Sequence, residues 1–165
     1  MMTYEEFEQY GINLASLGVE CVENAPKYFC TPKDAKIIGW AGVDGIHYCY
    51  VRGFDDMVFA VSPMNLPGDY VHPVAKNFED FLRLLLSCGD SAALEQAWAW
   101  NEAQFEDFIA MNPPTHEQCA ILAAILEKLN LAPMVSPFVY LKELHLIFDY
   151  SRIQFTANYY DIVTP

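Results

Sequence analysis

The spacing of hydrophobic positions along this chain changes character once. From Lys36 to Ser62 the apolar residues come in short β-prone runs, KIIGWA, IHYCYV and MVFAVS, separated by the turn-forming segments GVDG and RGFDD. This is the pattern of a β-meander. In the second run Ile46, Tyr48 and Tyr50 alternate with His47, Cys49 and Val51. Both sets carry apolar groups, which predicts a central strand covered on both faces. Asp44-Gly45 supplies the positive φ of a tight hairpin turn, and Asp55-Asp56 after Gly53 marks the next one. Prolines follow at 63, 67 and 73. Because proline cannot donate to a ladder, residues 70–74 predict an edge strand or a short bulged one.

From Asn77 the period becomes helical. Asn77 is a suitable N-cap, and Asp80 sits where a carboxylate favours the helix N-terminus. Phe78, Phe81, Leu82, Leu85 and Cys88 share one side, Leu84 and Leu86 widen it, Glu79 and Arg83 form an i,i+4 pair towards solvent, and Gly89 is a stop. Further helices are expected over DSAALEQAWAW behind Asp90, over NEAQFEDFIAM behind Asn101, and over THEQCAILAAILEKLN, where Thr115 and Gln118 match a capping box and Asn130 ends the run. Another starts at Ser136-Pro137 with Leu141, Leu144, Leu146 and Phe148 inside it. Thr3 caps a short N-terminal helix that Gly11 closes, and 11–32 has no clear period. The aromatic tail from Ser151 reads equally as strand or coil. The expected fold class is α+β: an antiparallel meander covered by helices, with an all-helical C-terminal extension. A single domain would divide into residues 1–34, 35–88 and 89–165.

Composition narrows the partners. A hydrophobic fraction of 53% excludes a disordered chain. The formal charge of −13, from 22 acidic and 9 basic residues, argues against a surface that neutralises phosphates, so nucleic acid is a poor partner. No Lys or Arg falls between Arg83 and Lys128, a span holding Asp90, Glu95, Glu102, Glu106, Asp107, Glu117 and Glu127. Five widely spaced cysteines, an odd number, suit a reducing compartment and predict a cytoplasmic location. MMTYEEFEQYG is acidic where a secretion signal is basic and then apolar, and runs such as LRLLL and AILAAIL are too short to cross a bilayer. No membrane association is expected.

The strand–turn order of IIGWAGVDGIHYCYV and MVFAVSP, followed by VAKNFEDFLRLLL, resembles the SUKH superfamily of Smi/Knr-like proteins. The matching positions are Gly39, Asp44 and Gly45 in the turns, and Asn77, Phe78, Phe81, Leu82 and Leu85 in the helix. The resemblance covers about residues 35–88. It implies an α+β fold and, in bacteria, use as an immunity protein that binds and blocks a toxin, often a nuclease. It implies no enzyme activity, no cofactor and no catalytic residues.

The residues offer little chemistry of their own. His47 with Cys49, and His116 with Cys119, lack an evident third metal ligand. There is no nucleophile elbow, P-loop or dinucleotide fingerprint. His72 reads as a solvated loop histidine beside Pro73, and Trp98 and Trp100 as packing for the helical extension. Two readings follow. In the first, an acidic surface including Asp55, Asp56, Glu102, Glu106 and Asp107 meets a protein partner, such as a basic toxin. In the second, a small-molecule pocket between meander and C-terminal helices is lined by Trp40, His47, Tyr48 and Tyr50, as in a sensor or enzyme.

Overall fold

The computed structural model describes residues 1–163; Thr164 and Pro165, the last of the aromatic tail, lie outside them. Four strands, β1 (Lys36–Trp40), β2 (His47–Tyr50), β3 (Val58–Val61) and β4 (Val71–Ala75), form one antiparallel sheet in the order β1-β2-β3-β4. The expected meander is therefore present, with β2 inside the sheet and β4 at its edge. Asp44 and Gly45 both take positive φ in the first hairpin. Pro73 lies opposite Phe59, next to a register shift at Val58/Phe59. The edge position and the irregular pairing accommodate its missing N–H.

Seven helices surround the sheet: α1 (Tyr4–Glu8), α2 (Phe78–Cys88), α3 (Ala92–Gln96), α4 (Glu102–Met111), α5 (His116–Leu129), α6 (Pro137–Ile147) and α7 (Ala157–Val163). Their starts follow the sequence closely. Thr3, Asn101 and Thr115 each form a capping box, and the Asn77 side chain accepts from the Asp80 amide. Gly89 and Asn130 end α2 and α5 with positive φ.

Period-two alternation gives the sheet two apolar faces. Tyr48, Val58, Ala60 and Val74 join the larger core with Phe78, Phe81, Leu82 and Leu85 of α2, and with Phe105, Ile125, Leu141 and Leu144 from later helices. Cys49, Phe59, Val61 and Val71 face the other way, onto Cys30, Ala35, Ile153 and Tyr159. The helical C-terminal part thus contributes to both sides. The tail, readable as strand or coil, is a 3₁₀ turn (Tyr150–Arg152) followed by α7. Its return is fixed in part by the Lys33 amide, which donates to the Gln154 carbonyl at 2.8 Å.

The aperiodic segment before β1 extends the sheet edge. Glu20 and Trp40 exchange two backbone hydrogen bonds of 2.7 Å. A Cβ at Gly39 would sit 2.3 Å from Val19 Cγ1 and 3.2 Å from its backbone, so glycine lets this segment approach.

Some local expectations are corrected. Glu79 does not pair with Arg83: it accepts from the Met2 amide at 2.7 Å, while Arg83 lies 3.6 Å from Asp80 and donates Nε to the Ala132 carbonyl. The Met2 segment reaches Glu79 first, and the chain before α6 draws Arg83 away. The helix expected behind Asp90 ends at Gln96 and tightens into a 3₁₀ turn at Ala97–Ala99. Leu146 is 85% exposed, and Phe148 lies past the end of α6, packed on Phe54 and Phe59.

Candidate functional site

The five acidic residues proposed for partner contact are all exposed, but they fall into two groups. Asp55 and Asp56 occupy the β2–β3 turn, where Asp55 takes a positive φ of 51°. Glu102, Glu106 and Asp107 lie on α4. No hydrogen bond, ion pair or cavity wall joins the two groups among the described residues.

The α4 group has a built setting. Phe105 is the buried anchor of α4, packed 5.4 Å from Phe138 on α6. This contact opens a groove of about 340 Å³ between α4 and the start of α6. Ile109, Pro137, Phe138 and Val139 give it apolar walls, Val135 stands at its side 90% exposed, and Glu102 and Glu106 line the same groove. The two carboxylates are one helical turn apart, a like-charge spacing that costs an isolated helix a few tenths of a kcal/mol. Neither has a Lys or Arg within salt-bridge distance. Lys142 of α6 lies over the Phe138 ring and donates to the Trp98 carbonyl at 3.0 Å.

The second set, Trp40, His47, Tyr48 and Tyr50, does not form one pocket. Tyr48 and Tyr50 face the larger core, where Tyr48 packs on Phe81 and Tyr50 on Tyr4. His47 projects from the opposite face, with Trp40 at 4.6 Å and Tyr28 at 6.0 Å between ring centroids. The sheet itself separates the pairs, because adjacent strand residues point to opposite sides. His47 is saturated as well: Nδ1 donates to the Gly45 carbonyl at 2.8 Å, so Nε2 accepts from the Thr31 hydroxyl at 3.0 Å. Burial holds its pKa below the usual histidine value. These contacts give His47 a structural role in closing the β1–β2 hairpin.

His72 is a correction of a different kind. Instead of standing in water, it belongs to β4, is 7% exposed and stacks on Trp98 with centroids 4.4 Å apart and planes at 9°. Its Nδ1 lies 2.9 Å from the Tyr150 hydroxyl, and its Nε2 faces Asp69 Oδ1 at 3.5 Å. His145 on α6 is 5.8 Å away between centroids and donates Nε2–H to the Pro73 carbonyl at 3.0 Å. Its Nδ1 is left buried without a partner. Desolvation drives both imidazoles down, His72 to about 3 and His145 to about 4, and each is further depressed by neighbouring positive charge. Both are neutral near pH 7. Trp98 thus packs the helices onto the sheet through His72, and Trp100 packs against Phe108.

Among the described residues no group of three or more His, Cys, Asp or Glu side chains is placed to hold a metal ion. No helix among them is long and apolar enough to cross a membrane. No protein-family model, curated protein or solved structure matches this chain.

Proposed function

We propose that this chain acts by binding another protein, and that the groove between α4 and α6 receives a basic, partly apolar segment of that partner. The observation that carries the reading is the pairing of an apolar groove with two unpaired carboxylates, Glu102 and Glu106, on a chain of net charge −13. Apolar side chains of the partner would fill the floor, and its Lys or Arg residues would meet the rim. Complementary charge raises the rate of encounter and selects the partner. A second copy of this chain is a poorer occupant, because it would bring a like-charged surface against α4.

The α+β class that the SUKH resemblance implies is the class observed, an antiparallel meander followed by α2. On that resemblance the partner is a basic toxin and the protein a non-enzymatic immunity factor. The five free cysteines, three of them buried, fit work in a reducing, cytoplasmic setting.

The test uses a short amphipathic lysine/leucine helical peptide, titrated at low ionic strength and followed by amide NMR shifts. Glu102→Lys with Glu106→Lys should weaken binding about tenfold or more, while Asp55→Lys with Asp56→Lys, the same change in net charge at the hairpin, should weaken it only about two- to threefold. Equal weakening by the two pairs would mean attraction by net charge without a groove. Concentration-dependent dimerisation abolished by Val135→Asp would assign the groove to a second copy and overturn the basic-partner reading.

A further inference from the structure

A second cavity, of about 330 Å³, shares no lining residue with the groove and is walled by the β1–β2 hairpin, the turn at residues 15–17 and the α2–α3 junction. Its polar groups are unusual. Glu95 of α3 lines it and is only 8% exposed, yet no Lys, Arg or His pairs with it among the described residues. No side-chain hydrogen bond satisfies it among the described residues; its neighbour Gln96 only offsets part of the rise that burial gives its pKa. A buried carboxylate without a cation is expensive, because little in the protein replaces the water it loses. Ser16 Oγ, also in the wall, is covered and has no hydrogen-bond partner.

The other carboxylates differ in availability. Asp90 is engaged: Oδ1 accepts from the Ala92 amide at 3.0 Å and Oδ2 lies 3.4 Å from Gln118 Nε2. Asp44 sits exposed in the hairpin turn and forms no ion pair. The same wall includes the apolar side chains of Val43, Ile46 and Ala41. The cavity therefore offers two carboxylates free of hydrogen-bonded partners, Glu95 inside and Asp44 at the rim, beside the engaged Asp90, and methylene-compatible walls. Its volume is at the low end for ligand pockets, suited to a small molecule.

We propose that this cavity is a binding site for a short aliphatic diamine, with one ammonium on Glu95 and the other on Asp44. The ammonium at Glu95 supplies the missing counter-charge. The other titratable groups in this cavity wall are Asp44 of the hairpin, Tyr48 of β2 and Asp90 before α3; all are acidic or phenolic. Burial, more than the nearby Asp44 charge, raises the Glu95 pKa to about 7. A bound ammonium lowers it again, so an alkylammonium entering below that pH displaces the carboxyl proton to buffer.

The probe is 1,4-diaminobutane, titrated calorimetrically into the full chain, with n-butylamine and magnesium ion as comparison arms. The expected result is saturable diamine binding, weakened about tenfold or more in Glu95→Gln, the scale of a lost charge-assisted contact in a desolvated site. Asp44→Asn, which keeps a residue tolerant of positive φ, should weaken the diamine several-fold and leave n-butylamine unchanged. At pH 6, but not at pH 8, the apparent enthalpy should vary with the buffer's ionisation heat, reporting proton release. This readout needs only the wild-type chain, so it survives a Glu95→Gln variant that fails to fold. Absence of saturable binding, equal binding by Glu95→Gln, or equal competition by magnesium, which would indicate counter-ions on an acidic surface, overturns the proposal. The α4 groove is untouched by these variants, so either site can fail without the other.

Discussion

Glu95 gives the most direct physical test of the fold, independent of any ligand. The residue is 8% exposed, and desolvation raises its pKa from 4.5 to about 7. Below pH 4.5 the group is protonated in both folded and unfolded chains and contributes no pH dependence. Between 4.5 and 7 the unfolded chain releases this proton and the folded chain retains it. Stability therefore falls as pH rises, and the loss is complete above about 7. At about 1.4 kcal/mol per pH unit, the full difference is about 3 kcal/mol, reduced towards about 2 where water enters from the cavity mouth. Glu95→Gln removes the titration and nearly keeps the shape. Urea unfolding of both proteins from pH 5 to pH 8 isolates the effect, because every other titrating group is common to the pair. The variant should be close to wild type at pH 5 and more stable by about 2–3 kcal/mol at pH 8. A gap that stays constant across this range, or one in which wild type gains with pH, would refute the argument that Glu95 is buried without a counter-charge.

Two other predictions concern packing and acid behaviour. Phe81 is fully buried between Tyr48 and Phe78, so Phe81→Ala should cost about 3–5 kcal/mol in chemical denaturation; a loss below about 1 kcal/mol would mean that this side of α2 is not core. His72 and His145 are held neutral, at about 3 and about 4 against an ordinary 6.5. The contribution of the two histidines to stability should therefore fall as pH drops below 6.5, where only the unfolded chain takes up these protons, against the opposite trend of Glu95, and the imidazole NMR signals of both should show no titration above pH 5. A midpoint near 6.5 for either would place that ring in water.

What the sequence disclosed was mostly local. Thr3, Asn77, Asn101 and Thr115 announce their helices because a cap and its target amide are three residues apart. Asp44-Gly45 announces its turn for the same reason. The strand order also follows from short connections between consecutive runs. His72 stayed hidden because its environment is assembled from Trp98 and Tyr150, the second of them 78 residues away. Pro73 and its neighbours describe a loop at the level of composition, and only the return of α6 and the tail makes it an interior position. The acidic stretch between Arg83 and Lys128 is visible as a count of charges, but the groove beneath Glu102 and Glu106 depends on Phe105 meeting Phe138. The split between His47 and Tyr48 is different, since period-two alternation already assigns them to opposite faces. Glu95 carried no sequence signal beyond its place in that acidic stretch.

The way residues 148–163 close the second face of the sheet has a consequence for biosynthesis. The strands that need this cover, β2 and β3, leave the ribosome long before Phe148, Ile153 and Tyr159 do. Until then Phe59 and Val61, with the thiols of Cys30 and Cys49, have only part of their final shelter. The nascent chain therefore passes through an interval in which one side of its sheet is adhesive and oxidisable. A chaperone that holds this surface, or faster translation, would shield or shorten that interval.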